Sequence, residues 1–159
     1  MDRHYYTYLI EDEFASHYFG RESVMYHLFR DYHWTNLTRD EYILVSKQVD
    51  YITKPIPMLS MHQKLNVELN QLDFVQINSL YRAVMPNGRG CATFMMKDRH
   101  IEVLASGDYE AETIFFEILR KISPCFLAMD FRTNRYGWLN PVKEENLSKK
   151  QEIYGGNVV

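Results

Sequence analysis

The stretch DYEAETIFFEILRKISPCFLAMDF, residues 108–131, places a helix pattern directly before a strand pattern. Its first half repeats apolar residues at intervals of three and four. This spacing predicts a helix from a cap at Asp108 to about Ile122, with one buried stripe made of Ile114, Phe115, Ile118, Leu119 and Ile122. Pro124 ends the helix, and the apolar run CFLAMDF (125–131) is typical of a central strand. A helix joined this closely to a buried strand predicts a sheet covered by helices, which is a mixed α/β (α+β) fold.

The N-terminal third predicts one strand followed by three helices, at residues 4–10, 11–19, 21–34 and 38–52. The strand is rich in tyrosine, threonine and isoleucine, which are β-formers. Gly20 is suited to end the first helix, because glycine adopts a left-handed backbone at little cost. Thr38 and Glu41 have the spacing of a capping box at the start of the third helix.

The middle of the chain is less clear. Residues 58–70 alternate apolar and polar side chains, which favours a strand, but Met58, Met61, Leu65, Leu69 and Leu72 also fit a helix. We favour the strand. Residues 73–85 predict a helix that ends before Pro86-Asn87-Gly88.

The remaining segments complete the predicted sheet, with a hairpin formed by 91–97 and 100–105 and an edge strand at 136–139. The sum is a single domain at 1–142, with a partly antiparallel sheet of about five strands and four or five helices. The tail, 143–159, is polar and poor in core residues, and we expect it to fray.

Composition narrows the class of function. The chain has 159 residues and a net charge of −3, with no run of Lys or Arg longer than two, so direct binding of nucleic acid is not expected. No apolar run approaches the ~18 residues of a membrane span, and the first residues do not form a signal-peptide core. The two cysteines, Cys91 and Cys125, lie in apolar runs and are expected to be buried thiols in a reducing compartment. We therefore expect a cytoplasmic protein without a membrane partner.

Local motifs do not indicate catalysis. The six histidines lack metal-ligand spacing, and neither a CxxC pair nor a GxSxG elbow is present, so no metal, cofactor or small-molecule substrate is expected. The loop Gly88-Arg89-Gly90 is best interpreted as a turn entering a strand. An enzyme alternative remains: the loop holds a cofactor phosphate beside Arg89, as in a small acyltransferase that uses coenzyme A.

Two aromatic patterns point towards a protein partner. On the third helix, Tyr42, Val45, Val49 and Ile52 share a face that should be core, while Leu44, Gln48 and Tyr51 form a second strip. That strip is either a protein-binding surface or part of a broad buried face, and spacing alone favours neither. Phe14 and Tyr18 stand one turn apart on the first helix, with Phe19 predicted to turn under the sheet.

Long ungapped strings of this sequence resemble one protein family. RHYYTYLI, EFASHYFGRESVM, KQVDYITKPIP, SGDYEAETIFFEILRKISPCFLAMDF and YGWLNPVK are all similar to the sporulation inhibitor of replication family, SirA. The resemblance extends from residue 3 to about 143. It implies a non-enzymatic inhibitor, made at the onset of sporulation, that binds the N-terminal domain (domain I) of the replication initiator DnaA and prevents initiation at the origin.

The resemblance also implies a binding site. The family's DnaA-binding surface is built from aromatic and polar side chains of its early helices. Four positions of this sequence match it: Phe14 and Tyr18 in EFASHYFG, and Gln48 and Tyr51 in KQVDYIT.

Overall fold

A computed structural model describes residues 2–140 of the chain. The predicted tail, 143–159, lies outside the described residues. The described part contains five helices and seven strands, in the order β1 (Arg3–Leu9), α1 (Asp12–His17), α2 (Glu22–Trp34), α3 (Arg39–Ile52), α4 (Met58–Glu68), β2 (Asp73–Ile77), β3 (Leu80–Val84), β4 (Gly90–Met96), β5 (His100–Gly107), α5 (Glu110–Ile122), β6 (Phe126–Asp130) and β7 (Arg135–Trp138).

The strands form one sheet in the order β2-β3-β4-β5-β1-β6-β7. Every strand pair in this sheet is antiparallel. The first strand, β1, lies between β5 and β6, and α5 connects those two strands across it. Residues 108–131 therefore supply the helix and the second parallel strand of a split β–α–β unit around β1.

Helices cover the two faces of the sheet unequally. Odd-numbered residues of β1, such as Tyr5 and Leu9, join a core with α4 and α5 that extends under β3, β4, β5 and β6. Even-numbered residues, such as Tyr8, join a smaller core with α1, α2 and α3. This alternation follows from the two-residue period of a strand, and it gives a helix–sheet–helix arrangement in three layers.

The class predicted from the sequence is confirmed, with one correction to the number of strands. The domain is a mixed α+β fold with an antiparallel sheet and five helices, but the sheet has seven strands where we predicted about five. Both extra strands come from residues 73–84, where the sequence predicted a helix.

The hairpin β2–β3 turns at Asn78-Ser79, between the paired residues Ile77 and Leu80. Asn78 adopts a positive φ of 54°, a conformation that asparagine tolerates better than most residues. A two-residue turn of this kind is typical of a β-hairpin, and our helix prediction did not take it into account.

The preference for a strand at residues 58–70 is wrong, since Met58–Glu68 is helical. Met61, Leu65 and Leu69 are spaced by four and fully buried. Leu59 and Val67, which made the alternating pattern, are 73% and 68% exposed. The buried apolar residues of this segment therefore recur every four positions, as in a helix. The alternating pattern arose from apolar residues that remain exposed.

The other helices lie close to their predicted positions, with corrections in detail. The capping box of Thr38 and Glu41 is formed at the start of α3. Asp108 does not cap α5 through its side chain, because the cap residue is Tyr109 and Asp108 accepts a bond from Ala111 through its backbone carbonyl. Among residues 2–140, no helix combines the length and apolar character that crossing a bilayer requires.

Candidate protein-binding surface

The end of α3 is tied to the start of α1. The Glu11 amide donates to the Ile52 carbonyl at 2.8 Å, and the Lys54 amide donates to the Leu9 carbonyl at 2.7 Å. The Lys54 ammonium also contacts the Asp12 carboxylate at 2.8 Å. This hydrogen bond lowers the pKa of Asp12. Two helices that are distant in the sequence are thereby held side by side.

Phe14 on α1 and Tyr51 on α3 meet at the surface of this junction. Their ring centroids are 5.3 Å apart with an interplanar angle of 66°, an edge-to-face contact. Tyr51 is 74% exposed, whereas Phe14 is partly buried against the smaller core. The structure therefore brings together one residue from each of the two predicted pairs.

Tyr18 and Gln48 extend this surface in two directions. Tyr18 is the C-cap residue of α1, and its amide donates to the Phe14 carbonyl at 2.9 Å. Gln48 is exposed and stands one turn before Tyr51 on α3. We call the surface formed by Phe14, Tyr18, Gln48 and Tyr51 the α1–α3 surface.

The α1–α3 surface combines aromatic area with charged side chains of both signs. An open concavity of about 540 Å³ on α1 is lined by Glu13, Phe14, Ser16, His17 and Tyr18. The Arg21 guanidinium lies 5.2 Å from the centroid of the Tyr18 ring, within the range of a cation–π contact. Such a surface suits a folded partner that presents an apolar side chain beside a polar or charged group.

The second strip on α3 is a surface feature and not part of a broad core. Leu44, Gln48 and Tyr51 are all exposed, while Val49 and Ile52 are buried. The predicted core face is shorter than expected, because Tyr42 is 46% exposed and stacks on Tyr32 of α2 at 5.4 Å. Val24 of α2 is exposed as well.

The inner side of α1 holds the helix on the domain. Ala15 is buried in the smaller core, and Phe19 packs partly buried against Trp138 of β7, with centroids 5.7 Å apart. Gly20 adopts the predicted left-handed backbone, with a φ of 87°. Ala15 is buried while Phe14 is only partly buried, so a helix of six residues both anchors to the core and presents a ring at the surface.

The loop at Gly88–Gly90 is a strand connection, as our preferred interpretation predicts. The Gly88 amide donates to the Met85 carbonyl, and the Arg89 amide donates to the Asn87 side chain. A side chain on Gly107 would begin 2.0 Å from the Arg89 carbonyl oxygen, so the loop packs tightly against β5. These two amides are already bonded within the turn, and they therefore do not form a ready cradle for a phosphate.

Neither cysteine is buried as deeply as expected. Cys91 and Cys125 are both free thiols of intermediate exposure. Burial and the neighbouring Asp12 carboxylate, 3.5 Å from its sulfur, raise the pKa of Cys125. In the described part of the chain, no three side chains of His, Cys, Asp or Glu are grouped closely enough to hold a metal ion.

Comparison with known proteins gives two matches. A family model described as "Sporulation inhibitor of replication protein SirA" matches residues 3–143. A protein of Bacillus subtilis (strain 168), named "Sporulation inhibitor of replication protein SirA", is 65% identical over 146 residues, which are 92% of this chain and 99% of that protein. The matched residues include all four members of the α1–α3 surface.

Proposed function

The chain belongs to the family of the sporulation inhibitor of replication protein SirA, and on this basis we propose that it inhibits the initiation of chromosome replication during sporulation. We propose further that it does so in the cytoplasm by binding domain I of the initiator DnaA, and that it acts as a binding protein and not as an enzyme. The α1–α3 surface is the proposed contact.

One observation gives the main support for assigning the binding site to this surface. Phe14 and Tyr51 are 37 positions apart in the sequence, yet their rings touch and Tyr51 remains largely exposed. A monomer gains little by leaving a large ring in water, whereas a protein interface uses such rings as anchors. The same two positions match the DnaA-binding positions of the family that the sequence resembles.

The proposed mechanism is occlusion. A folded domain that seats its aromatic side chains on DnaA domain I covers surface that domain I needs for self-association or for another partner. Occlusion of domain I requires no contact between the inhibitor and DNA, in agreement with the net charge of −3.

Calorimetric titration against purified DnaA domain I tests the site. We expect Phe14→Ala, Tyr18→Ala and Tyr51→Ala each to weaken binding by about 2 kcal/mol or more, roughly 30-fold, because each removes an aromatic anchor. Gln48→Ala should have a smaller effect, since Gln48 contributes polar contacts without a ring.

Tyr109→Ala is the matched control. Tyr109 is also an exposed tyrosine, but it lies at the start of α5 and packs on Arg3. Its removal should leave the affinity for domain I unchanged. Unchanged affinity in the three folded aromatic variants would refute the site, and no binding by the unaltered protein would refute the choice of partner.

A competition experiment tests the mechanism. Saturating inhibitor should prevent domain I from self-associating or from binding its other partners, as measured by light scattering or by a labelled partner. A ternary complex that assembles with normal affinity would show that occlusion is the wrong mechanism.

A further inference from the structure

One half of the sheet has a face that no helix core of residues 2–140 covers. On the side of α1, α2 and α3, the strand residues of the core come from β1, β6 and β7 only. The corresponding face of β2 to β5 is open, and Val75, Ile77, Val84 and Leu104 are exposed on it. This region is separate from the α1–α3 surface.

A cleft of about 250 Å³ lies on the open face where β1, β3, β4 and β5 run side by side. Its lining includes Arg82 from β3, Cys91 and Thr93 from β4, Ser106 from β5, and Arg132 from the turn between β6 and β7. Arg82 and Arg132, from distant parts of the chain, therefore border one concavity together with Arg3, which is paired with Glu112.

Neither Arg82 nor Arg132 forms an ion pair with a carboxylate of residues 2–140. Within residues 2–140, the Arg82 guanidinium donates to the Cys91 sulfur at 3.6 Å and the Arg132 guanidinium donates to the Asp2 backbone carbonyl at 3.5 Å, and neither side chain forms an ion pair. An arginine with all its charge available is the usual side chain for binding an anion.

The carboxylates nearby are already engaged by other groups. Glu102 accepts hydrogen bonds from His4 and His100, and Asp130, which accepts a bond from the Arg132 amide, is paired with Arg135. Among residues 2–140, Asp2 is the one carboxylate residue that lines the cleft, and it is exposed near the start of the chain. The two arginines of the cleft therefore outweigh the single acid beside them.

Neutral donors complete the lining. The Ser106 hydroxyl and the Cys91 thiol contact each other at 3.3 Å, and Thr93 lies two residues after Cys91 on β4, on the same face of the strand. A planar carboxylate is fully bound by the fork of one arginine, whereas a tetrahedral phosphoryl group offers oxygens to donors on several sides. Guanidinium groups from two elements, with hydroxyls near them, match the second geometry.

We propose that this cleft binds the phosphoryl group of a phosphate ester, with Arg82 and Arg132 as its principal ligands. The group attached to the phosphate has room beside it, because Arg132 also borders a second hollow of about 390 Å³ lined by Arg30, Trp34 and Asn134. Ligand binding here is independent of the proposed function and is measured without DnaA, so either proposal can fail alone.

NMR titrations of the ¹⁵N-labelled protein at low salt test the proposal, with inorganic phosphate, O-phosphoserine and a short phosphoserine peptide as probes. We expect saturable shifts at amides of β3, β4 and β5, and at least tenfold weaker binding in Arg82→Gln and in Arg132→Gln. Arg89→Gln, an exposed arginine on the β3–β4 turn, removes the same charge and should leave binding unchanged.

The probes also separate the two sources of phosphate. Equal binding of O-phosphoserine and the peptide indicates a small phosphate ester, and binding that requires the peptide indicates a phosphorylated protein; either result supports the site. Shifts that do not saturate, equal binding of acetate, or binding that survives both arginine substitutions would overturn it.

Alkylation of the thiols provides a second measurement. Cys91 lines the cleft, while the Cys125 sulfur lies beside Asp12 on α1. The bound probe should slow the alkylation of Cys91 at least severalfold and leave that of Cys125 unchanged. Equal alkylation rates of Cys91 with and without saturating probe would place the ligand elsewhere.

Discussion

Helices α3 and α5 are nearly equal in length, at 14 and 13 residues, yet they are used in different ways. The α5 helix buries Ala111, Glu112, Phe115, Phe116, Ile118 and Leu119 under the sheet. The α3 helix buries only Val49 and Ile52, and it leaves Tyr42, Ile43, Leu44 and Tyr51 exposed. The apolar side chains of α5 stabilise the fold, whereas most of those on α3 are available for a partner.

The same contrast appears in how the two helices are terminated. The α3 helix begins with a complete capping box, while the cap residue of α5 makes no side-chain hydrogen bond. A helix with little buried area depends more on local signals, because burial contributes less of its stability. Local capping on α3 thus compensates for the face that it leaves in water.

The largest expected effect is on the free energy of unfolding, and it is tested by removing one aromatic ring from each helix. Phe115 is fully buried and stacks on Phe94 with centroids 5.0 Å apart. Phe115→Ala should lower the free energy of unfolding by about 3–5 kcal/mol, since it removes apolar contacts and leaves a cavity. Tyr51→Ala should lower it by about 1 kcal/mol or less, the contribution of one exposed aromatic contact.

Urea unfolding, followed by the fluorescence of the buried Trp138, measures both variants. Similar losses of stability in the two variants would mean that α3 supports the fold as α5 does, and the contrast between the helices would be wrong.

The second effect concerns charge on the two sides of the sheet. Beside α5, Arg3 and Glu112 form a bidentate ion pair, with Nη2 and Oε1 2.7 Å apart. Beside α2, His33 is held neutral: burial first, and then the neighbouring His100, lower its pKa to about 4. The Tyr8 hydroxyl contacts its Nε2 at 2.7 Å.

This pKa predicts acid sensitivity on the α2 side. The unfolded chain protonates a histidine near pH 6.5, and the folded chain only near pH 4, so the unfolded state binds more protons between these values. The contribution of His33 to stability is complete above pH 6.5 and is lost as the pH falls, by up to ~1.4 kcal/mol per pH unit.

Unfolding free energies measured from pH 7 to pH 4 check this expectation against His33→Gln. The variant cannot titrate at this position, and glutamine retains a polar group for Tyr8, so its stability should fall less steeply. Parallel curves for the two proteins would contradict the assignment of the acid sensitivity to His33.

The smallest effect concerns the cap of α3. In Thr38→Ala, the Glu41 amide loses the hydroxyl that it donates to at 3.2 Å. We expect a loss of about 1 kcal/mol in stability and faster amide exchange in the first turn of α3. Asp108→Ala is the matched control: Asp108 bonds α5 through its backbone, so the first turn of α5 should be unaffected. If Thr38→Ala accelerates amide exchange in the first turn of α3 no more than Asp108→Ala does in the first turn of α5, the role given to the cap is wrong.

Prediction from the sequence succeeded where one period dominated. The stripe of α5 and the apolar run of β6 each allow one interpretation, and both elements lie close to the expected bounds. Prediction failed at 58–70 and 73–85, because exposed apolar residues such as Leu59, Val67, Val75 and Ile77 imitated a buried pattern. Periodicity records where apolar residues stand in the chain, and burial decides which of them matter to the fold.

For the candidate site, the sequence indicated the four residues but not the contact between the two helices that carry them. The pairs Phe14–Tyr18 and Gln48–Tyr51 each follow from helical spacing, and the family resemblance singles out all four. No local pattern indicates that Phe14 meets Tyr51, because that contact depends on how the residues after β1 bond to the end of α3. The cleft bordered by Arg82 and Arg132 could not be predicted from the sequence either, because these two arginines are 50 positions apart.

The sequence by itself determined the family, the mixed α+β class and the helices and strands whose apolar period is unambiguous. These properties depend on the order of neighbouring residues, which the chain carries before it folds. Only the tertiary structure decided which apolar side chains stay in water, which helices share a surface and which arginines lack a carboxylate. Those properties depend on contacts between distant segments, and such contacts form only when the sheet brings the segments together.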